Sequence, residues 1–193
     1  MMLAEPTIDL LLSRASTNVL AEPAPEGHAL DLILEAGLRA PDHGRLRPWR
    51  FVLIRGAAKA AFAERAIAAL RARDPDAPVT EEERMRGKLL APPLIVALGV
   101  HILPNHKIPE IEQMLAVGAA AMNMLNAAHA LGFAGKWITG PNAYDPAVAA
   151  ALGVEAPDRL AGFLYLGTPA VPLPAVQRPD LAQHVREWSP AKG

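Results

Sequence analysis

The stretch MLAVGAAAMNMLNAAHAL, residues 114–131, decides how the chain is read. It is the most apolar long run in the sequence. It also carries Asn123, Asn126 and His129 and is rich in alanine and glycine. A membrane span needs about 20 predominantly apolar residues with few such polar groups. The run therefore reads as a buried helix, about Pro109 to Leu131, stopped at Gly132.

Working outward, apolar strands and amphipathic helices flank this helix. Strand candidates are Phe51–Ile54, Leu94–Val100, Phe133–Trp137 and Leu160–Leu166. Helices are expected over Thr7–Arg14, with Thr7 as cap, and over Gly27–Arg39. Others fall over 57–73, over Thr80–Leu90 with Thr80 and Glu83 as a capping box, and over Pro146–Leu152. Strands alternating with helices imply an α/β or α+β fold. Four strands are few for so many apolar helical faces, so a further strand is expected from the tail.

Composition bounds the chemistry. The chain has 193 residues, 51% hydrophobic and 20% charged, which excludes a largely disordered chain. One domain, 1–193, is expected. The net charge of -1 gives no global field for nucleic acid. Without cysteine there are no disulfides, thiolate nucleophiles or cysteine-ligated metals, and the absence fits the cytoplasm. MMLAEPTIDLLLSRAS lacks the basic region of a signal peptide. Nineteen prolines are about twice the usual share. Many crowd residues 168–193, which read as an extended arm lying on this subunit or a partner.

The usual catalytic motifs, G-x-G-x-x-G, the Walker loop, H-E-x-x-H and G-x-S-x-G, are missing. His106 and Glu110 stand four apart, but no further metal ligands accompany them, so no metal is expected. Three polar clusters remain. Arg39, Asp42, His43, Arg45, Arg47 and Arg50 offer guanidinium forks for an anion, or a solvated, salt-bridged loop. Arg14-Ala15-Ser16-Thr17 joins a helix end to a loop and suits a phosphate, or is an ordinary surface helix end. Gly135 to Gly140 follows the buried helix; it lines a planar ligand, or Trp137 is simply core.

Together these clusters resemble the nitroreductase family of flavoproteins, specifically its short, YdjA-like NAD(P)H nitroreductase branch. The resemblance covers nearly the whole chain. It rests on Arg14-Ala15-Ser16, Glu22-Pro23-Ala24-Pro25, Ala36-Gly37 through Arg39-Ala40-Pro41-Asp42-His43, and Pro48-Trp49. Further marks are Asn105-His106-Lys107-Ile108-Pro109 with Glu112-Gln113-Met114, Gly132-Phe133 with Trp137 and Gly140, and Gly162 to Pro169.

The resemblance implies an α+β fold, a mainly antiparallel sheet flanked by helices, in an intertwined homodimer with FMN at the interface. It implies that Arg14, Ala15 and Ser16 hold the phosphate and ribityl end from one subunit. Arg39 and His43 would reach the same flavin from the other, and Ile138, Thr139 and Gly140 would complete the pocket. Ala128–Phe133 would lie near the nicotinamide of NADH or NADPH. The branch carries arginines where Ala15 and Ile138 stand, so Lys136 is a candidate replacement. Arg45 or Arg47 near the flavin would favour an anionic substrate or the reduced flavin; either could instead face solvent. The implied activity is two-electron transfer through FMN to an electron-poor small molecule such as a nitroaromatic or a quinone. The alternatives are an enone-type acceptor and a flavin-handling protein with little turnover. No side chain is assigned as nucleophile or general acid, because the cofactor carries the chemistry.

Overall fold

The structure is a computed structural model that describes residues 5–175 and 178–190. Residues 1–4 of the expected domain, and 176, 177 and 191–193 of the expected arm, lie outside that description.

β3 (Leu94–Val100) is buried at every position, which is why its sequence is a continuous apolar run rather than an alternating one. It lies between β2 (Trp49–Arg55) and β5 (Arg159–Pro169), antiparallel to both. β4 (Ala134–Ile138) pairs antiparallel with β5, and so does the short β1 (Leu20–Ala21), through Thr168 and Pro169. The fold is thus α+β with an antiparallel sheet. The fifth strand comes from residues 20–21, not from the tail. The expected arm begins inside β5, and none of its described residues beyond Pro169 is a strand.

Alternation along β3 sends side chains to two cores. Leu94, Val96, Leu98 and Val100 meet α2 (Gly27–Gly37) and α5 (Glu110–Ala130). Ile95 and Ala97 meet α3 (Ala57–Arg73), α4 (Val79–Leu90) and α7 (Pro146–Ala151), with α6 (Pro141–Tyr144) between β4 and α7. Alanines at 63 and 66 let α3 lie close to the sheet.

Two caps differ from expectation. α1 (Glu5–Ser13) starts before Thr7, and Pro78 precedes α4, so Thr7 and Thr80 both lie inside their helices. Pro78 has no side-chain acceptor to offer as the N-cap of α4; its fixed φ leads into the helix, and its carbonyl accepts from Glu81 N–H at 2.8 Å. α7 has a true side-chain cap: Asp145 accepts from the N–H groups of Ala147 and Val148 and pairs with Arg73. Burial alone raises the Asp145 pKa, but Arg73 and the two N–H donors outweigh it and hold the carboxyl below its ordinary value. A depressed folded pKa gives stability that is present above the unfolded pKa, about 3.9, and lost as pH falls through the folded value. Asp145→Asn should therefore lower the melting temperature at pH 7, with the gap to wild type closing in melts taken below about pH 3.9. A gap that stays constant with pH would remove the ion pair as its cause.

α5 is the helix of residues 114–131, but it is not wholly buried. Ile111 and Leu115 are each 63% exposed and Met122 is 40% exposed. With Gly118 between them they form one stripe at helical spacing. Among the described residues no helix is long and apolar enough to cross a membrane.

Candidate functional site

Arg14, Ala15 and Ser16 follow α1 and run between the end of α5 and β4. The Ser13 hydroxyl lies 2.9 Å from His129 Nε2 near the C-terminus of α5. Ser16 bridges Gly135 in parallel, and Thr17 N–H donates to the Gly135 carbonyl at 3.3 Å. Ala15 is buried beneath this crossing, while Ser16 is exposed. Ile138 ends β4, and exposed Thr139 and half-buried Gly140 follow it. Three residues of strand, about 10 Å, separate Gly135 from Ile138, so these two candidate segments share one neighbourhood.

Arg14 has an unusual environment. Its Nε is buried and has no hydrogen-bond partner among the described residues. Its Nη1 reaches only the Ser16 hydroxyl, at 3.4 Å. Arg178, from the proline-rich tail, donates to the carbonyls of Leu12 at 3.0 Å and Arg14 at 2.7 Å. Burial, and secondly the charge of Arg178, lower the Arg14 pKa. A buried N–H without an acceptor carries a desolvation penalty, and two like charges side by side add repulsion. An anion between them relieves both.

Arg39 and His43 lie elsewhere. Arg39 is exposed just past α2, where Asn123 donates to the Ala36 carbonyl and Gly37 abuts Met124 near the middle of α5. His43 Nδ1 lies 2.5 Å from Glu112 Oε2, in the first turn of α5. The carboxylate can only accept, so Nδ1 carries the proton. Glu112 and His129 are 17 residues apart along one helix, about 25 Å. A single chain therefore cannot bring His43 to Arg14.

Arg45 and Arg47 are exposed and have positive φ; Asp42 holds this loop by accepting from Arg47 N–H at 2.7 Å. His106 and Glu110 turn to different partners, Ile108 N–H and Arg159, and no metal-ligand cluster occurs among the described residues. Trp137 is 38% exposed beside Gly118 of α5, and its indole N–H donates to the Ala161 carbonyl at 3.1 Å. Ala128–Phe133 closes α5: Phe133 N–H returns to the Ala128 carbonyl, with Gly132 at φ 84°. Sequence reasoning assigned no role to Arg178, and included His129 only as part of the Ala128–Phe133 segment. The one individual signal of His129 was a polar interruption of an apolar helix, and Arg178 sits in a tail without periodicity.

An open antiparallel sheet between two helical layers, crossed by one long helix, is the architecture shared with solved structures. A solved nitroreductase-like family protein from Bacillus cereus shares the fold, with TM-score 0.82 at 19% identity, over 95% of this chain and 96% of that one. The Nitroreductase family profile matches residues 13–168, and the chain belongs to that family of oxidoreductases. It is 40% identical over 163 residues to the Escherichia coli K12 protein named "Putative NAD(P)H nitroreductase YdjA", covering 84% of this chain and 87% of the relative. A nitroreductase from Desulfovibrio desulfuricans, solved in complex with FMN, is 26% identical with TM-score 0.73, over 95% of this chain and 97% of that one.

Proposed function

We propose that the protein is an FMN-dependent NAD(P)H oxidoreductase that works as a homodimer in the cytoplasm, with each flavin held between two subunits. The observation that carries this reading is the buried, unpartnered Nε of Arg14 beside Arg178, a site shaped for a phosphate. The Escherichia coli relative's name and the FMN complex of the Desulfovibrio protein point to the same cofactor and donor.

In this reading the Arg14 guanidinium and the Ser16 hydroxyl hold the phosphate, and Arg178 adds a second cation where the motif has only Ala15. Ile138, Thr139 and Gly140 wall the same pocket. Arg39 and His43 approach from the second subunit, with Glu112 fixing the orientation of the His43 ring. The exposed stripe of α5 is the natural dimer surface. A two-fold axis near Gly118 and Ala119 reverses one α5 against the other and carries one chain's His43 toward the partner's copy of the Arg14 end. Bound FMN would supply two-electron transfer from NADH or NADPH to an electron-poor acceptor such as a nitroaromatic or a quinone.

The test is direct. Purified protein should bind FMN, and NADH or NADPH should bleach its absorbance near 450 nm under anaerobic conditions. Arg14→Met should weaken FMN binding by roughly 1.5–3 kcal/mol, the scale of a charge-assisted hydrogen bond, and riboflavin binding far less. Protein that neither retains nor rebinds FMN would refute the proposal. FMN retained without bleaching would favour a flavin-handling role.

A further inference from the structure

Gln113, at the start of α5, is 2% exposed, the most deeply buried polar or charged residue among those described. Its amide is engaged by the segment that joins β3 to α5. Oε1 accepts from Leu103 N–H at 2.9 Å, and Nε2 donates to the carbonyls of Leu103 at 3.2 Å and Ile108 at 3.1 Å. Residues 101–109 form neither helix nor strand, so their backbone groups need partners from outside the segment. The glutamine supplies both an acceptor and two donors from a single side chain.

This segment lies beneath the loop that carries His43. At its start, His101 N–H donates to the Pro48 carbonyl at 2.7 Å, and Asp158 accepts from Ile102 N–H at 2.9 Å. At its end, Ile108 is buried, and its Cδ1 is so near Gly44 that a Cβ on that glycine would collide with it. Gly44 has φ 71°, and Arg45 and Arg47 also have positive φ. Left-handed conformations at non-glycine residues persist only where the surroundings over-determine them. Here Asp42 accepts from Arg47 N–H on one side, and Ile108 presses on Gly44 from the other. Glu112, one residue before Gln113, is turned about 100° away on the helix and meets His43 Nδ1. One turn of α5 thus holds the imidazole through Glu112 and the floor beneath its loop through Gln113.

We propose that Gln113 is a positioning residue for His43. By closing residues 103–108 onto α5 it seats Ile108 against Gly44, and this holds the imidazole on Glu112 in the orientation that meets flavin in the second subunit's pocket. The flavin contact rests on the functional reading above, whereas the placement of His43 does not. A glutamine that only closed a loop would contribute stability and leave the His43 ring as it was.

Two substitutions separate these roles. Gln113→Met keeps the length of the side chain and removes its hydrogen bonds to Leu103 and Ile108. Ile108→Val removes only Cδ1, the atom against Gly44, and leaves those hydrogen bonds in place. Two-bond proton–nitrogen NMR on the full chain without flavin, at a pH well above the ordinary histidine pKa, reads which nitrogen of the His43 ring carries the proton. Wild type should show it on Nδ1, and both variants should shift toward the Nε2 tautomer of an untethered imidazole. FMN titration by fluorescence should show affinity lowered about fivefold by each substitution, and unchanged by either in a His43→Ala background, because residues that act through one contact are not additive. His43 resonances that stay in place in either variant, or an FMN loss that persists undiminished without His43, overturn the proposal. If Gln113→Met does not fold, the same two measurements on Ile108→Val decide. If the wild-type protein binds no FMN, the functional reading above fails, while the His43 tautomer still decides whether Gln113 places the ring.

Discussion

Leu115→Asp yields a folded monomer that binds FMN at least a hundredfold more weakly than wild type. Leu115 is 63% exposed in the single chain, on a stripe shared with Ile111 and Met122. Burying a leucine side chain is worth about 1.5–3 kcal/mol, and a two-fold interface counts each substitution twice. Burying an aspartate there adds several kcal/mol of desolvation, and the two-fold brings its copy close as a like charge. A total of about 6 kcal/mol or more raises the dimer dissociation constant by over 10⁴. Loss of flavin follows from geometry. The contact points of the two half-sites on α5, Glu112 for His43 and His129 beside Ser13, lie about 25 Å apart, so in the proposed dimer a monomer would present half of each pocket. Sedimentation equilibrium reads the first effect, and flavin fluorescence titration the second. Circular dichroism and a cooperative melt establish that the monomer is folded, because Leu115 contributes to neither core. A variant that stays dimeric with wild-type FMN affinity would sink both the interface and the shared site.

The sheet and its long helix were legible because their signals are strong and local. β3 is an unbroken apolar run because both of its edges and both of its faces are covered. Phe133–Trp137 differs from β4 by one residue at each end. What escaped was set by distant partners. β1 is two residues long and exists because Thr168 and Pro169 extend far enough to pair with it. Arg178 matters only through the carbonyls of Leu12 and Arg14, more than 160 positions away. The reading of residues 114–131 as a buried helix was half right, for a related reason. Hydropathy says that an apolar stripe avoids water, but not whether its own chain covers it. The candidate site was legible as three separate motifs. Their distribution along α5, two clusters near one end and His43 at the other, was not.

Gly162→Ala should lower stability by about 3–5 kcal/mol, the largest loss expected from any single methyl group added to this protein. Gly162 lies in β5 beside a bulge: Leu98 pairs with Gly162 but Gly99 pairs with Leu160, which leaves Ala161 unpaired. The bulge frees the Ala161 carbonyl to accept from the Trp137 indole. It also sets Gly162 at φ 126°, a conformation that L side chains rarely adopt. A Cβ there would fall 2.5 Å from the Ile138 carbonyl oxygen, 2.6 Å from Trp137 Nε1 and 3.1 Å from Thr139 Cγ2. The first of these is backbone in a paired strand, so relief requires β4 to move. Gly37→Ala is the informative contrast. Its Cβ would meet Met124 at 2.9 Å, but there the neighbour is a flexible side chain and φ is ordinary, so about 1 kcal/mol or less is expected. At 2–4 °C per kcal/mol for a domain of this size, Gly162→Ala should melt roughly 6–20 °C below wild type. The two residues pressed hardest are Ile138, the first of the segment 138–140, and Trp137 just before it, so the folded fraction should also bind FMN less tightly. A Gly162→Ala protein that melts within about 2 °C of wild type would show that β4 yields freely and that the close contacts at Gly162 cost little.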